Sequence, residues 1–121
     1  MPLVRIDIAK SASPQVVRAV SDVVCGAKTS VANVPANDRF QIIARHGDDE
    51  LAYPEEGYLG VTYSPGIVFV QGTWNTGRRV EVKKAFCRAA AGGIAHEASI
   101  PIQDVWISLI DVAREDGSFG N

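Results

Sequence analysis

The chain contains two copies of one short segment, and this duplication constrains its fold more than any other feature. Residues Val34–Phe40 match Ile100–Trp106 in residue type at five of seven positions, 66 residues further along the chain. The strand-like segments that begin the two halves are offset by about 64 residues. A repeat at this spacing predicts two consecutive copies of one β-α-β unit.

The first unit begins with a strand over Leu3–Ile8, where apolar and charged residues alternate. Ser13 and Pro14 are typical of a helix start, as the N-cap and the first-turn proline. The apolar positions that follow recur at helical spacing: Val16, Val17, Val20, Val23, Val24, Ala27 and Val31. A second strand over Arg39–Arg45 completes the unit.

The second unit repeats this plan with a less regular helix. It is predicted to contain a strand over Ile67–Thr73, a turn over Trp74–Gly77 and a helix from about Arg78 to Ala98. The pair Gly92-Gly93 weakens the second half of that helix by roughly 1 kcal/mol per glycine relative to alanine. Val105–Ile110 is the closing strand.

These elements predict a single α+β domain over residues 1–121. The first unit covers about 2–45, a connecting segment 46–66, the second unit about 67–111 and a tail 112–121. Right-handed crossovers place both helices on one face of a four-stranded mixed sheet. If a pseudo-twofold axis relates the units, the first and third strands are antiparallel neighbours.

The sheet face opposite the helices is predicted to be mixed in character. It would carry some of Arg5, Asp7, Gln41, Arg45, Gln71 and Thr73 beside Leu3 and Ile43. Such a face is too apolar for open solvent and too polar for a simple core. We therefore predict a homo-oligomer in which this face packs against copies of itself.

Composition and charge argue against several classes of protein. The formal net charge of −2 offers no basic surface for nucleic acid. The apolar runs are too short to cross a membrane and no signal-peptide pattern is present, so we expect a cytoplasmic protein. Cys25 and Cys87 fall within predicted helices and are interpreted as core residues rather than a disulfide. His46 and His96 lack ligand spacing to the cysteines or to each other, so no metal site is predicted.

The amino terminus is the first candidate for catalysis. Methionine is normally removed before proline, so we expect the mature chain to begin at Pro2, a secondary amine fixed at the start of a strand. An α-amino group titrates at roughly 7.7–8.0 in model peptides, which suits a general base near neutral pH. A protonated proline could instead polarise a carbonyl oxygen.

A pair of arginines is the second candidate. The antiparallel arrangement brings the segment Thr76–Arg79 to the same end of the sheet as Pro2. Arg78 and Arg79 are predicted to lie at the start of the second helix, where free N–H groups and a guanidinium together suit a carboxylate. A solvated arginine pair without a ligand is the alternative interpretation.

Several other residues have two possible interpretations. Trp74, Tyr58 and Phe119 either line a small apolar pocket near Pro2 or fill contacts between subunits. Asp104 corresponds to Asp38 in the repeat, but it is predicted to lie away from the proline end and to stabilise a turn.

Together these residues resemble the tautomerase superfamily, and within it the malonate semialdehyde decarboxylase branch. The resemblance is carried by the Pro2 start, the paired units and four motifs: Val34-Pro35-x-x-Asp38-Arg39-Phe40-Gln41-Ile42, Tyr58-Leu59-Gly60, Gly77-Arg78 and Asp116-x-Ser118-Phe119-Gly120. It implies a homotrimer in which Pro2 is the catalytic group. It also implies that Asp38 handles water or a proton and that Arg78 holds the substrate carboxylate.

Two positions depart from the decarboxylase pattern. Thr76 stands where the decarboxylase has an additional arginine, and Gly117 stands where the tail motif has tryptophan. The first change removes half of a carboxylate clamp, and the second removes a wall that could exclude water. Both favour a chemistry less demanding than decarboxylation.

We therefore predict a tautomerase that interconverts the keto and enol forms of a small 2-oxo acid without a cofactor. Pro2 is the general base, and Arg78 binds the carboxylate with help from Arg79, Thr76, Trp74 and Phe119. One alternative is a decarboxylase or hydratase of a 3-oxo acid such as malonate semialdehyde, with a cationic Pro2 and Asp38 activating water. The other is a trimeric family member without catalytic activity.

Overall fold

The computed structural model describes residues 2–120 and contains two helices and four strands. In chain order the elements are β1 (Leu3–Ala9), α1 (Pro14–Val31), β2 (Phe40–His46), β3 (Val68–Asn75), α2 (Val80–Ala98) and β4 (Val105–Val112). Short 3-10 turns cover Ile102–Asp104 and Arg114–Asp116. In the described part of the chain, neither helix is long and apolar enough to cross a membrane.

The four strands form one mixed sheet in the order β2-β1-β3-β4. The pairs β1/β2 and β3/β4 are parallel, while β1 and β3 are antiparallel. Both helices cover the same face, where buried residues of β1 and β3 pack against buried residues of α1 and α2. The predicted α+β fold of two β-α-β units is confirmed, including the antiparallel central pair.

The two copies of the repeated segment form the same turn. Asp38 donates its N–H to the carbonyl oxygen of Pro35 at 3.0 Å, and Asp104 donates to Pro101 at 2.8 Å. Each turn leads directly into the second strand of its unit. The sequence repeat therefore encodes a repeated strand entry.

The start of α1 agrees with its sequence signals. The Ser13 hydroxyl accepts the N–H of Val16 at 3.2 Å, and Pro14 is the first helical residue. Ser13 thus satisfies one of the free donors at the helix start.

The region between β3 and α2 differs from the prediction. Trp74 and Asn75 belong to β3 rather than to a turn, because they continue the ladder with Asp111 and Val112 of β4. The helix begins at Val80 with Arg79 as its N-cap. The turn lies further along the chain, at Gly77, which has a φ of 125°.

The second half of α2 is not interrupted by its glycines, and the helix runs unbroken to Ala98. A Cβ at Gly93 would lie 2.6 Å from Cγ1 of Val23 in α1, so this glycine permits the close approach of the helices. Packing between the helices thus offsets the low helix propensity of the glycine pair.

The open face of the sheet is more apolar than predicted, because three residues of β2 lie on the other side. Leu3 pairs with Phe40, so Gln41, Ile43 and Arg45 share the helix-covered face. Gln41 accordingly donates its side-chain amide to the backbone oxygen of Ser21 in α1 at 3.1 Å. The open face carries these residues instead: Leu3, Arg5, Asp7, Phe40, Ile42, Ala44, His46, Phe69, Gln71, Thr73, Trp106, Ser108 and Ile110.

Candidate active site

Pro2 lies at the end of the sheet between two of the segments that the sequence singled out. Because Leu3 pairs with Phe40 on one side and with Thr73 on the other, Pro2 is level with Arg39 and Trp74. Neighbouring strands lie about 4.8 Å apart, so Asp38 and the end of β3 both come close to the start of β1. Pro2 itself is buried.

The segment that carries Asp38 is held by a lysine that the sequence analysis did not identify. Lys28 is 1% exposed, and its ammonium donates to the carbonyl oxygen of Asp38 at 2.9 Å. Its own carbonyl accepts the N–H groups of Ala32 and Val34, at 3.1 and 3.2 Å. Lys28 therefore fastens both ends of the connection between α1 and β2. Burial lowers the pKa of its amine below the ordinary value.

Arg78 lies on the other side of Pro2, before α2 rather than within its first turn. Its guanidinium carbon lies 4.5 Å from the centroid of the Trp74 ring, and Nη1 donates to the carbonyl oxygen of Asn75 at 3.2 Å. No described acidic side chain forms a salt bridge with it. The ring holds the cation by one face, as in other cation–π pairs, and leaves its charge without a carboxylate partner.

Two buried polar atoms on the segments beside the start of β1 lack hydrogen-bond partners. Among residues 2–120, the buried side-chain nitrogen and oxygen atoms without a partner are Oδ1 of Asp38 and Nε of Arg78. Each such atom costs about 1–3 kcal/mol relative to a satisfied one. Both belong to residues that the sequence placed in the site, one an acceptor and the other a donor.

Of the other residues predicted to contact substrate, Phe119 lies beside Asp38 and Trp74 lies in the core. Phe119 lies beside Asp38 in an open cavity of about 340 Å³, with Pro35, Asn37 and Phe40. Trp74 belongs to the core, since it is 1% exposed and stacks edge-on against Phe86 with ring centroids 5.4 Å apart. Its contribution to the site is as the surface on which Arg78 lies.

Arg79 and Thr76 have partners of their own. Arg79 forms a 3.4 Å ion pair with Glu81, and both side chains are exposed. The Thr76 hydroxyl donates to the carbonyl oxygen of Val112 at 3.1 Å, which fastens the segment after β3 to the end of β4. Within residues 2–120, neither side chain forms a hydrogen bond or an ion pair with Arg78.

Tyr58 and Asp104 lie at the opposite end of the sheet from Pro2. Tyr58 lines an aromatic cavity of about 400 Å³ with Phe69 and Trp106, and Phe69 is level with Asp7 near the end of β1. Of the two interpretations of Tyr58, a pocket near Pro2 of the same chain therefore does not hold, and a contact between subunits stays a prediction. Asp104 is buried and accepts the N–H of Ser64 at 2.9 Å, as expected for a residue that stabilises a turn.

The histidines and cysteines form no centre of their own in the described residues. His46 bonds to Asp7 on the open face at 2.6 Å, while His96 lies beside Glu97 on the exposed side of α2. No group of three potential metal ligands occurs within residues 2–120. Cys25 and Cys87 are free thiols, and burial raises the pKa of Cys87 above its ordinary value.

Comparison with known proteins gives consistent matches in family and in fold. A family model described as "Tautomerase enzyme" matches residues 38–120. The probable tautomerase YusQ of Bacillus subtilis (strain 168) is 31% identical over 121 residues, which cover 100% of this chain and 94% of the relative.

Solved structures of similar fold include members of the same family. A malonate semialdehyde decarboxylase inhibited by 3-bromopropiolate is 33% identical with a TM-score of 0.90, over 98% of this chain and 89% of that one. A second malonate semialdehyde decarboxylase, described with wild-type, proline-to-alanine and inactivated forms, is 27% identical with a TM-score of 0.89 and covers 98% and 91%. A fused 4-OT symmetric trimer shares only the fold, at 19% identity and a TM-score of 0.83, over 98% and 92%.

Proposed function

Because this chain belongs to the tautomerase enzyme family and is similar to its malonate semialdehyde decarboxylase branch, we propose that it interconverts the enol and keto forms of a small 2-oxo acid. The observation that carries this proposal is the pair of unpartnered buried atoms on the two segments that flank the start of β1, Oδ1 of Asp38 before β2 and Nε of Arg78 after β3. A cation and an acceptor held in this way match a substrate that has a carboxylate and an exchangeable proton.

The proposed reaction is an isomerisation, so it consumes no second substrate. Arg78 binds the substrate carboxylate, since a guanidinium forms strong charge-assisted hydrogen bonds with carboxylates. The neutral amine of Pro2 takes the proton from the enol hydroxyl, and the protonated amine delivers a proton to the third carbon. The product is the 2-oxo acid, and Pro2 returns to its neutral form.

The proposal requires removal of Met1, since only then does Pro2 carry a free secondary amine. Met1 and Asn121 lie outside the described residues. General base catalysis by a positioned amine is worth roughly 10²- to 10⁴-fold. One of the similar decarboxylases was studied as a proline-to-alanine mutant, and the corresponding test of this chain is Pro2→Ala.

Ketonisation of an aromatic enol pyruvate, followed by absorbance, tests the proposal. The wild type is first checked by mass for loss of Met1 and is then compared with Pro2→Ala and Arg78→Ala. We expect Pro2→Ala to lose about 10²-fold or more in kcat, since the base is removed. Arg78→Ala should mainly raise KM. A processed wild type without any rate above buffer would overturn the proposal.

A second candidate reaction is decarboxylation or hydration of a 3-oxo acid such as malonate semialdehyde. Its support is the likeness to two malonate semialdehyde decarboxylases, at 33% and 27% identity. In this reaction a cationic Pro2 polarises the 3-oxo oxygen while the bond to the departing carboxylate breaks. The electrons of the broken carbon–carbon bond form the enolate, and carbon dioxide leaves. Carbon dioxide release at a rate above that of enol ketonisation would favour this candidate.

The proposal includes a homotrimer, with the open face of the sheet at the subunit contacts. Leu3, Phe40, Ile42, Trp106 and Ile110 are 40–51% exposed on this face, which is more apolar surface than a monomer usually presents. The fused 4-OT neighbour is described as a symmetric trimer, which agrees with this choice of oligomer.

A further inference from the structure

A line of contacts runs from Arg78 through the core to the surface of α2. The guanidinium of Arg78 lies over the ring of Trp74 at 4.5 Å. The indole Nε1 of Trp74 donates to Oδ1 of Asp111 in β4 at 3.1 Å. The other carboxylate oxygen, Oδ2, accepts a hydrogen bond from Nζ of Lys83 in α2 at 2.7 Å. These contacts connect β3, β4 and the first turn of α2.

Asp111 determines the orientation of the indole. The ring is buried against Phe86, so its N–H needs a partner within the protein. Asp111 is the partner, and it fixes the plane of the ring as well as satisfying the donor. Because Arg78 lies on the face of this ring, the position of its guanidinium depends on the same hydrogen bond.

Asp111 is also a competitor for Arg78. Both side chains contact the indole of Trp74, the guanidinium over its face at 4.5 Å and the carboxylate at Nε1 at 3.1 Å. The hydrogen bond from Lys83 and, more weakly, the charge of Arg78 lower the pKa of the Asp111 carboxyl. Yet the ion pair of Asp111 is with Lys83 rather than with Arg78. Lys83 thus occupies the carboxylate that would otherwise attract the guanidinium.

We infer that Asp111 and Lys83 are positioning residues for the carboxylate site at Arg78. Asp111 holds the indole on which Arg78 lies, and Lys83 engages Asp111 so that the charge of Arg78 remains available to an anionic ligand. The inference rests on the proposed function, in which Arg78 binds the substrate carboxylate. It adds that Arg78 binds well only while the pair behind Trp74 is intact.

Two single variants and one double variant separate the two roles. Lys83→Met leaves Asp111 free to pair with Arg78, so KM should rise about tenfold while kcat changes less than twofold. Adding Asp111→Asn removes the competing charge but keeps an oxygen for the indole N–H, so the double variant should return to within about twofold of the wild-type KM. Asp111→Leu leaves the indole N–H without a partner and should raise KM whether or not Lys83 is present.

Direct binding keeps this test independent of turnover. The two tryptophans of the chain are Trp74 and Trp106, so in a Trp106→Phe background, excited at a wavelength that the tyrosines do not absorb, the fluorescence comes from Trp74. Titration with malonate as a carboxylate probe, followed by Trp74 fluorescence, gives Kd for each variant. Lys84→Met is the matched control, because Lys84 is exposed on the same helix and its loss changes the net charge equally.

We expect the Kd of malonate to follow the same order as KM, with Lys83→Met weak, the double variant restored and Lys84→Met unchanged. Equal Kd values in Lys83→Met and Lys84→Met, or no restoration by Asp111→Asn, would overturn the inference. If malonate binds and follows this order but no enol turns over, the inference stands and the proposed reaction fails. If the enol turns over but Lys83→Met has the wild-type KM and Kd, the inference alone fails.

Discussion

At the scale of single residues, the site combines predictable residues with others that only the structure reveals. Pro2, Asp38 and Arg78 are recognisable because each belongs to a motif in the sequence. Lys28 is not, since a lysine near the end of a helix usually lies in solvent. Its one signal is its position four residues after Val24 on the apolar stripe of α1. The hydrogen bond from Lys28 to Asp38 depends on how the chain turns after α1, which the sequence does not indicate.

Lys28 carries the residue-scale prediction. Lys28→Ala removes the bond to the Asp38 carbonyl and the packing of a buried four-carbon stem, so we expect a loss of about 2–4 kcal/mol in the free energy of unfolding. Urea denaturation at pH 7 measures it. Lys84→Ala, at an exposed position, should stay within about 0.5 kcal/mol of the wild type. A Lys28→Ala protein as stable as this control would show that Lys28 does not hold the Asp38 segment.

At the scale of elements, the sequence predicts the order and type of every strand and both helices, because period and capping signals agree. The end of one strand and the faces of another could not be predicted. β3 extends through Asn75 because β4 continues beside it, a pairing between residues distant in sequence. The sequence predicts the wrong face for the residues of β2, because alternating polar residues suggest a face open to solvent. In the structure, Gln41 instead bonds to Ser21 of α1 beneath it.

The glycine pair of α2 provides the element-scale prediction. Gly93→Ala should destabilise the fold by about 1–3 kcal/mol, because the new methyl group would overlap Val23 of α1. Gly92→Ala is the matched control. No atom lies within 4 Å of a Cβ there, so alanine should stabilise the fold by about 0.5–1 kcal/mol through helix propensity. Thermal unfolding of both variants decides the matter, and an equal gain in Tm at both positions would contradict the close packing of the helices.

At the scale of the whole molecule, one face of the sheet makes the core and the other is available for assembly. The open face is mainly apolar, but Asp7 bonds there to Arg5 and to His46, at 3.0 and 2.6 Å. Burial alone would raise the pKa of Asp7, yet these hydrogen bonds lower it below its ordinary value. Arg5, Asp7 and His46 are thus already paired with one another within one chain, which suits a surface that other subunits cover.

Assembly is tested by placing one charge on this face. Ile42→Asp should convert the proposed trimer to monomers, because an unpaired carboxylate buried between subunits costs several kcal/mol. Sedimentation velocity should give three times the mass of one chain for the wild type and the mass of one chain for the variant. Lys84→Asp, on the exposed side of α2, should remain trimeric. A wild type that sediments as a monomer at micromolar concentration would contradict the proposed assembly.

The central claim is that the neutral amine of Pro2 is the base, and the pH dependence of kcat/KM for enol ketonisation tests it most directly. The rate should be low while the amine is protonated. It should then rise with pH through a single ionisation to a plateau, and this rise should be absent from the residual rate of Pro2→Ala. A rate that falls as the amine loses its proton would contradict the claim, because it would show that the cationic form of Pro2 is the active one.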